Sequence, residues 1–293
     1  MSTHPRFQRT IAGPARVEGF GYWSGKDATI EFRPAPVNSG VVFVRRDLPS
    51  PVRIPASVQH RIEIPRRTVL SHQRASVEMV EHVLAALAGL QVDNCEVWID
   101  AAEVPGCDGS SQAFVEALHT AGIVEQAAPR ATLYVRETTR LGDENCWVEA
   151  RPCEDRPGLF VKYRLDYGSA GCIGRQTMKL QVTPESFRQE LAPARTFVLE
   201  EEAEWLRSQG LGTRVTREDL LVFGAEGLQD NTLRFEDECV RHKTLDLVGD
   251  LALAGCDIVG QITAHRSGHR LNAELVRVLL AEGQIVQPRR KTA

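Results

Sequence analysis

Apolar residues follow two patterns along the chain, one typical of strands and one typical of helices. Alternating or β-rich runs predict strands at residues 28–33, 40–46, 95–100, 132–137, 147–151, 159–166, 177–182 and 257–264. Apolar residues with helical spacing predict helices at residues 80–87, 112–119, 185–191, 199–208, 239–254 and 272–281. Strands outnumber helices and are grouped before them, which indicates the α+β class.

The same pattern predicts two domains. The 293 residues are enough for two at about 150 residues per domain, and residues 121–130 lose their periodicity around a glycine and a proline. We therefore predict a linker there, with a first domain over residues 1–127 and a second over 128–293. In each half, strands lead to a helix that opens with a histidine (His82, His242) and is followed by a strand. This repetition favours a diverged internal duplication.

Composition and charge narrow the classes of function. With 35 basic and 39 acidic residues, the chain lacks the positive excess of a nucleic-acid-binding protein, so we expect no nucleic-acid partner. No run approaches the ~18 uninterrupted apolar residues of a membrane span, and residues 1–10 lack the apolar core of an export signal. We therefore expect a cytoplasmic protein without a transmembrane segment. The seven cysteines contain no C-x-x-C pair, which predicts reduced, mostly buried thiols.

Candidate chemistry is concentrated on one predicted helix. Residues 241–251 read R-H-K-T-L-D-L-V-G-D-L, which spaces His242, Asp246 and Asp250 at i, i+4 and i+8 on one face. An i, i+4 His/Asp pair is a natural two-point chelate for a divalent metal. The alternative is a helix on which these side chains are solvated or hydrogen-bonded locally.

Two further segments extend this set. Glu81 and His82 are adjacent on the first-half helix and point roughly 100° apart, so one side chain can bind a metal while the other faces the bound water. His269 follows a glycine on a strand-to-helix connection, which suits close approach to a ligand, although a surface loop residue is the alternative.

Together these residues have the composition of a catalytic zinc site. The three candidate ligands, which are neutral or anionic, are His82, His242 and Asp246. They leave the fourth position of a zinc ion for water. The acid–base groups for metal-assisted acyl hydrolysis are Glu81 as general base, His269 as cation or acid, and Asp250 as the carboxylate that orients His269. The histidines without comparable neighbours are predicted to be non-catalytic: His4, His60, His72, His119 and His265.

Several short motifs occur in a fixed order along the chain: F-R-P-A-P at 32–36, V-E-H-V-L-A-A-L-A-G-L at 80–90 with D-N at 93–94, C-D-G-S at 107–110, A-R-T-F at 194–197, R-F-E-D-E-C-V-R-H-K-T-L-D-L-V-G-D at 234–250 and S-G-H at 267–269. In this order they resemble the zinc-dependent UDP-3-O-acyl-N-acetylglucosamine deacetylases, which carry out the first committed step of lipid A synthesis in Gram-negative bacteria. The resemblance runs from about residue 8 to about residue 280.

The resemblance implies two related α+β domains whose helices are sandwiched between two outer sheets. It implies Zn²⁺ as the cofactor and a UDP-linked acylated amino sugar as the substrate, in a protein that we expect to be a monomer. The matched positions imply zinc binding by His82, His242 and Asp246, proton transfer by Glu81 and by His269 oriented by Asp250, an oxyanion contact from Thr196, and substrate contacts from Lys243 and Phe197.

The resemblance also implies a passage for the acyl chain, at residues 198–222. Its apolar residues are Leu199, Trp205, Leu206, Leu211, Leu220 and Leu221, of which we select Leu206 and Leu211 as substrate contacts. A charged amphipathic helix is the alternative interpretation of the same pattern, and it is compatible with such a passage. The basic tail at 287–293 gives at most a peripheral contact with an anionic membrane.

Two segments depart from the family pattern. Residues 21–25 read G-Y-W-S-G where the family usually has G-L-H-S-G, so the indole of Trp23 replaces an imidazole; residues 166–170 read D-Y-G-S-A where the family has D-x-x-H-P. Because of these changes, a first alternative function is that of a zinc amidohydrolase that acts on another N-acetylated sugar conjugate. A non-catalytic paralogue is a second alternative, but a pure binder has no use for a base, an acid and an orienting carboxylate.

Overall fold

A computed structural model describes residues 6–153, 157–169 and 171–286. The first half contains β1 (Phe7–Ile11), β2 (Ala15–Phe20), β3 (Asp27–Pro34), β4 (Val41–Arg45), β5 (Val52–Pro55), β6 (Arg61–Ile62), β7 (Val69–His72), β8 (Ala75–Glu78), α1 (Glu81–Gly89), β9 (Cys95–Ile99), α2 (Gln112–Ala121) and β10 (Ile123–Pro129).

The second half begins with β11 (Thr132–Tyr134), β12 (Thr139–Gly142), β13 (Trp147–Arg151), β14 (Leu159–Asp166), β15 (Arg175–Gln181) and the short α3 (Pro184–Ser186), which a π-helical turn continues (Phe187–Leu191). It ends with β16 (Phe197–Leu199), α4 (Glu200–Ser208), β17 (Leu221–Gly224), β18 (Gly227–Leu228), α5 (Glu238–Leu251), β19 (Asp257–His265), α6 (His269–Glu282) and β20 (Gln284–Val286). Every predicted strand and helix coincides with one of these elements, and the α+β class is confirmed.

The two main sheets repeat one topology. In the first sheet the strand order is β2-β3-β9-β4-β5, with β9 antiparallel to β3 and parallel to β4. In the second sheet the corresponding order is β12-β13-β19-β14-β15, with β19 antiparallel to β13 and parallel to β14. A helix precedes and another follows each central strand. This shared topology supports the internal duplication that the sequence pattern favoured.

Helices α1, α2, α5 and α6 lie between the two sheets, as the resemblance implied. Helix α2 packs against β2, α5 against β14 and β15, and α6 against β12 and β13, while α1 packs against both α2 and α5. The contact between α1 and α5 is close at Gly249, where an added Cβ would lie 2.2 Å from the carbonyl oxygen of Glu81. The absence of a side chain at this position therefore lets the two predicted ligand-bearing helices approach each other.

The predicted linker at residues 121–130 is wrong in its local structure. The segment forms β10, which pairs with β1 in an antiparallel two-stranded sheet. Most side chains of β10 are half-buried or exposed, so no apolar period marks it as a strand. The boundary at residue 127 falls inside β10, and the division into 1–127 and 128–293 stays a proposal.

Two expectations from composition have different outcomes. All seven cysteines lie in the described part of the chain and are free, but only Cys95 and Cys239 are buried, so the expectation of mostly buried thiols is wrong. Among the described residues, no helix combines the length and the apolar character needed to cross a membrane. The tail at 287–293, His4 and residue 170 lie outside the described residues.

Candidate active site

The predicted site residues converge on one cavity of about 1180 Å³ beside the contact between α1 and α5. Ten of them line it: Glu81, His82, Thr196, Phe197, Leu206, Leu211, His242, Lys243, Asp246 and His269. Asp250 lies behind this layer and is fully buried. Because His242, Asp246 and Asp250 are all buried, the solvated form of the alternative interpretation is wrong; its locally hydrogen-bonded form matches Asp246, which accepts from Lys243 on the same helix.

The predicted metal ligands form a compact buried group. Asp246 Oδ1 lies 3.4 Å from His242 Nε2 and 3.6 Å from His82 Nε2, and one candidate atom from each residue lies within 4.8 Å of the others. Ligand atoms about 2.1 Å from a tetrahedral zinc ion lie about 3.4 Å apart. The two nitrogen atoms and one oxygen atom therefore have the chemistry and the spacing of three zinc ligands.

Neighbouring groups orient these side chains. Nδ1 of His242 lies 3.1 Å from the carbonyl oxygen of Ala194, so a proton on Nδ1 leaves the lone pair of Nε2 facing Asp246. Burial lowers the pKa of His242 to about 4, which favours the neutral imidazole that binds metals. Lys243 donates to Asp246 Oδ2 at 2.6 Å. Burial opposes the charge on Asp246, but Lys243 and His242 outweigh it and hold the pKa of Asp246 well below its usual range.

The predicted acid and base lie next to the predicted metal ligands. Nδ1 of His269, the first residue of α6, lies 2.8 Å from Asp250 Oδ2, while Nε2 lies 4.0 Å from Glu81 Oε1. Burial disfavours the imidazolium, but the two carboxylates outweigh it and raise the pKa of His269 to about 9. Burial also raises the pKa of Glu81. The site therefore holds a cationic imidazole beside a carboxylate of increased basicity.

Sequence reasoning missed two residues that hold Asp250. Thr68 Oγ1 donates to Asp250 Oδ1 at 2.6 Å, and Asn272 Nδ2 donates to Asp250 Oδ2 at 2.8 Å. Asn272 lies one helical turn after His269, so its i, i+3 spacing was a usable signal. Thr68 precedes β7 and is 182 positions from Asp250, and no local pattern indicates this contact.

Thr196 and Phe197 enter the cavity from the segment before α4. The backbone N–H of Thr196 donates to the carbonyl oxygen of Gly109 at 2.8 Å. Gly109 has φ +79°, and an added Cβ would lie 2.9 Å from Thr196 Cγ2, so glycine is required there. The ring of Phe197 meets the rings of Tyr167 and His242 edge-on, with centroids 5.9 and 6.4 Å apart.

The segment at 198–222 contains both a charged helix and an apolar wall. Helix α4 has four glutamates and no buried residue, as the amphipathic alternative predicted. Leu206 and Leu211 are half-buried and line the cavity, as does Leu220. Trp205 is 55% exposed and is not part of the lining, so the structure does not bring this residue to the site.

Trp23, which replaces the family's usual imidazole, also lines the cavity. Its backbone N–H donates to Glu103 Oε1 at 2.8 Å, and its indole Nε1 donates to the sulfur of Met79 at 3.2 Å. The guanidinium of Arg67 lies 4.3 Å from the indole centroid. The indole is therefore held against Met79, two residues before Glu81.

The second departure from the family pattern also lies at the cavity. Asp166, Tyr167 and Gly168 belong to its lining, and Asp166 Oδ1 accepts hydrogen bonds from Gly168 N at 2.8 Å and from Arg175 Nε at 3.0 Å. The loop is therefore organised by its own aspartate, without the histidine and proline of the family motif.

Fold and site together define a class of protein: an α+β protein with two repeated halves, whose facing helices enclose a His/His/Asp group beside a Glu/His pair. Comparison with known proteins is consistent with this class. Residues 8–281 match the model of the UDP-3-O-acyl N-acetylglycosamine deacetylase family.

Relatives named UDP-3-O-acyl-N-acetylglucosamine deacetylase are 39% identical over 280 residues in Shewanella violacea and 38% identical over 279 residues in Shewanella baltica and Shewanella sp. strain W3-18-1. Each match covers 94% of this chain and 90% of the relative. The chain therefore belongs to the UDP-3-O-acyl N-acetylglycosamine deacetylase family, as its motifs indicated.

Proposed function

We propose that this chain is a zinc-dependent hydrolase that removes the N-acetyl group of UDP-3-O-acyl-N-acetylglucosamine and releases acetate, in lipid A biosynthesis. The main support is the convergence of three candidate ligands, a buried carboxylate and a cationic imidazole in one cavity. The names of the relatives support the choice of substrate. A cytoplasmic location and a monomeric state remain part of this proposal.

The residues present fit a zinc ion. His82, His242 and Asp246 would hold it, because their facing atoms are two imidazole nitrogens and one carboxylate oxygen with separations of 3.4 and 3.6 Å from that oxygen. When bound, zinc supplies Lewis acidity that polarises the amide carbonyl and lowers the pKa of water.

Glu81 is the proposed general base. It accepts a proton from the attacking water as the new C–O bond forms, and its burial raises the pKa of the carboxylate towards the range in which such transfer is efficient. Its Oε2 accepts a hydrogen bond from the backbone N–H of Thr68 at 2.9 Å. Oε1 is the oxygen nearer His269, so it is the proposed proton acceptor.

His269 is the proposed acid. Its Nδ1 is bound to Asp250, so Nε2 carries the proton that passes to the sugar nitrogen as the C–N bond breaks. Acetic acid and the free amine are then the two products, and the acid loses its proton to solvent to give acetate. Before this transfer the imidazolium stabilises negative charge on the former carbonyl oxygen, beside which Thr196 offers its hydroxyl.

Substrate binding is assigned to the walls of the same cavity. Phe197 and Lys243 are proposed to contact the substrate near the reacting amide, and Leu206 and Leu211 are proposed to contact its acyl chain. An acyl chain in an apolar passage contributes about 0.8 kcal/mol for each buried CH₂. This remote binding energy is available for orienting the scissile amide.

A second candidate function keeps the chemistry and changes the substrate. The indole of Trp23 against Met79 and the altered loop at 166–169 favour a different N-acetylated sugar conjugate. Mass spectrometry of the products from UDP-3-O-acyl-N-acetylglucosamine and from its analogue without the acyl chain distinguishes the two. Faster release of acetate from the acylated substrate supports the proposal. Equal or faster release from the analogue favours the second candidate, and release from neither, with zinc added, contradicts the proposal.

A further inference from the structure

Thr68 bonds to both helices that carry the site. It is fully buried and lies one residue before β7. Its backbone N–H donates to Glu81 Oε2 at 2.9 Å, and its carbonyl oxygen accepts from the N–H of Val80 at 3.3 Å. Its hydroxyl donates to Asp250 Oδ1 at 2.6 Å. One residue of the first half therefore contacts the carboxylate on α1 and the carboxylate on α5.

These contacts close a ring around the acid–base pair. Thr68 binds one oxygen of Glu81 and one oxygen of Asp250. The other oxygen of Asp250 lies 2.8 Å from His269 Nδ1, and the other oxygen of Glu81 lies 4.0 Å from His269 Nε2. Thr68 and His269 thus lie on opposite sides of the two carboxylates. The base Glu81 and the acid His269 are therefore linked through two carboxylates that both bond to Thr68.

We propose that Thr68 is a positioning residue that aligns Glu81 with the Asp250–His269 pair across the contact between the two halves. The inference rests on the proposed function for the roles of Glu81 and His269. The hydroxyl is the donor, because an ionised carboxylate only accepts hydrogen bonds. Its loss leaves Asp250 Oδ1 without this donor in a buried position, so the carboxylate rotates towards other partners and His269 moves with it.

Thr68→Val tests the hydroxyl while keeping the β-branched shape and the backbone N–H. We expect kcat to fall about 10-fold or more, because this factor corresponds to the loss of a hydrogen bond to a charged group. KM should stay close to the wild-type value. Thr68→Ser restores a hydroxyl and should recover most of kcat. Thr68→Ala provides a second variant without the hydroxyl, in which the side chain is also smaller.

Thr10→Val is the matched control. Thr10 is also a buried threonine, and its hydroxyl donates to the carbonyl oxygen of Asn94 at 2.7 Å, away from the site. We expect this control to lower the melting temperature but to leave kcat unchanged. In an Asp250→Ala background, Thr68→Val should lower kcat little further, because the hydroxyl acts through Asp250.

Imidazole NMR gives a readout that does not depend on turnover. The Nδ1 proton of His269, bonded to Asp250, should shift in Thr68→Val and Thr68→Ala but not in Thr10→Val. An unshifted proton signal, a kcat loss no larger than in Thr10→Val, or full additivity with Asp250→Ala would overturn the inference. If the wild type does not hydrolyse the UDP-linked substrate while the signal shifts selectively, the proposed function fails and the positioning of His269 by Thr68 stands.

Discussion

Gly249→Ala should weaken metal binding without changing a ligand. Gly249 lies on α5, three residues after Asp246, and packs against the start of α1. An added Cβ would lie 2.2 Å from the carbonyl oxygen of Glu81 and 3.3 Å from the backbone nitrogen of Ala85, whereas ordinary contact begins at 3.4 Å. Both obstructing atoms belong to helix backbone, so α1 and α5 must separate by roughly 1 Å to relieve the overlap.

The expected effect follows from which helix carries which ligand. His82 is on α1, whereas His242 and Asp246 are on α5, so separation moves one proposed ligand away from the other two. Metal–ligand distances tolerate changes of only about 0.2 Å. We expect metal affinity to fall about 10-fold or more, a loss typical of changes that disturb ligand orientation. Overpacking should also lower the free energy of unfolding by about 1–3 kcal/mol, partly offset by the better helix propensity of alanine.

Competition with a chromogenic chelator measures the zinc affinity, and circular dichroism checks folding. Gly13→Ala is the control, since an added Cβ at Gly13 would have no atom within 4 Å. We expect the control to bind zinc as the wild type does. Undiminished zinc affinity in folded Gly249→Ala would refute the argument that the close contact between α1 and α5 sets the ligand geometry.

The remaining predictions concern the proposed reaction. Burial lowers the pKa of His269, but Asp250 outweighs burial and raises this pKa to about 9. Asp250→Asn should therefore move the alkaline limb of the pH profile of kcat/KM to lower pH. An alkaline limb at the wild-type pH would contradict the pairing of Asp250 with His269. Glu81→Gln should lower the single-turnover rate constant for hydrolysis about 10²-fold or more. A rate constant equal to that of the wild type would exclude Glu81 as the base. Leu211→Asp should reduce kcat/KM for the acylated substrate much more than for the non-acylated analogue, and an unchanged ratio would exclude Leu211 from the acyl passage.

The helical part of the site could be predicted from sequence because its geometry is local. On α5, the spacing of His242, Asp246 and Asp250 places all three on one face of any α-helix. The pairing of Asp250 with His269 could be expected only from the types of residue and the family motifs. The contribution of Thr68 could not be predicted, because it depends on tertiary hydrogen bonds from the residue before β7 to Glu81 on α1 and to Asp250 on α5.

The small sheet β6-β7-β8 shows why part of the fold was missed. Its strands have two to four residues, and the turn between β7 and β8 is formed by Gln73 and Arg74. Both residues have positive φ, 47° and 65°, a conformation for which Asn-Gly or Asp-Gly is the usual sequence signal. A hairpin whose turn has neither glycine nor asparagine gives no local indication of its position.

Zinc titration of the metal-stripped protein, followed by mass spectrometry of the products from UDP-3-O-acyl-N-acetylglucosamine, tests the central proposal most directly. We expect acetate release to be absent from the stripped protein, to rise in proportion to added zinc and to stop rising at one equivalent per chain. His242→Ala, which removes one of the three facing ligand atoms, should need much more zinc for the same rate. Equal acetate release with and without zinc, or none from folded, zinc-loaded wild type, would contradict the proposal that this cavity carries out zinc-dependent deacetylation.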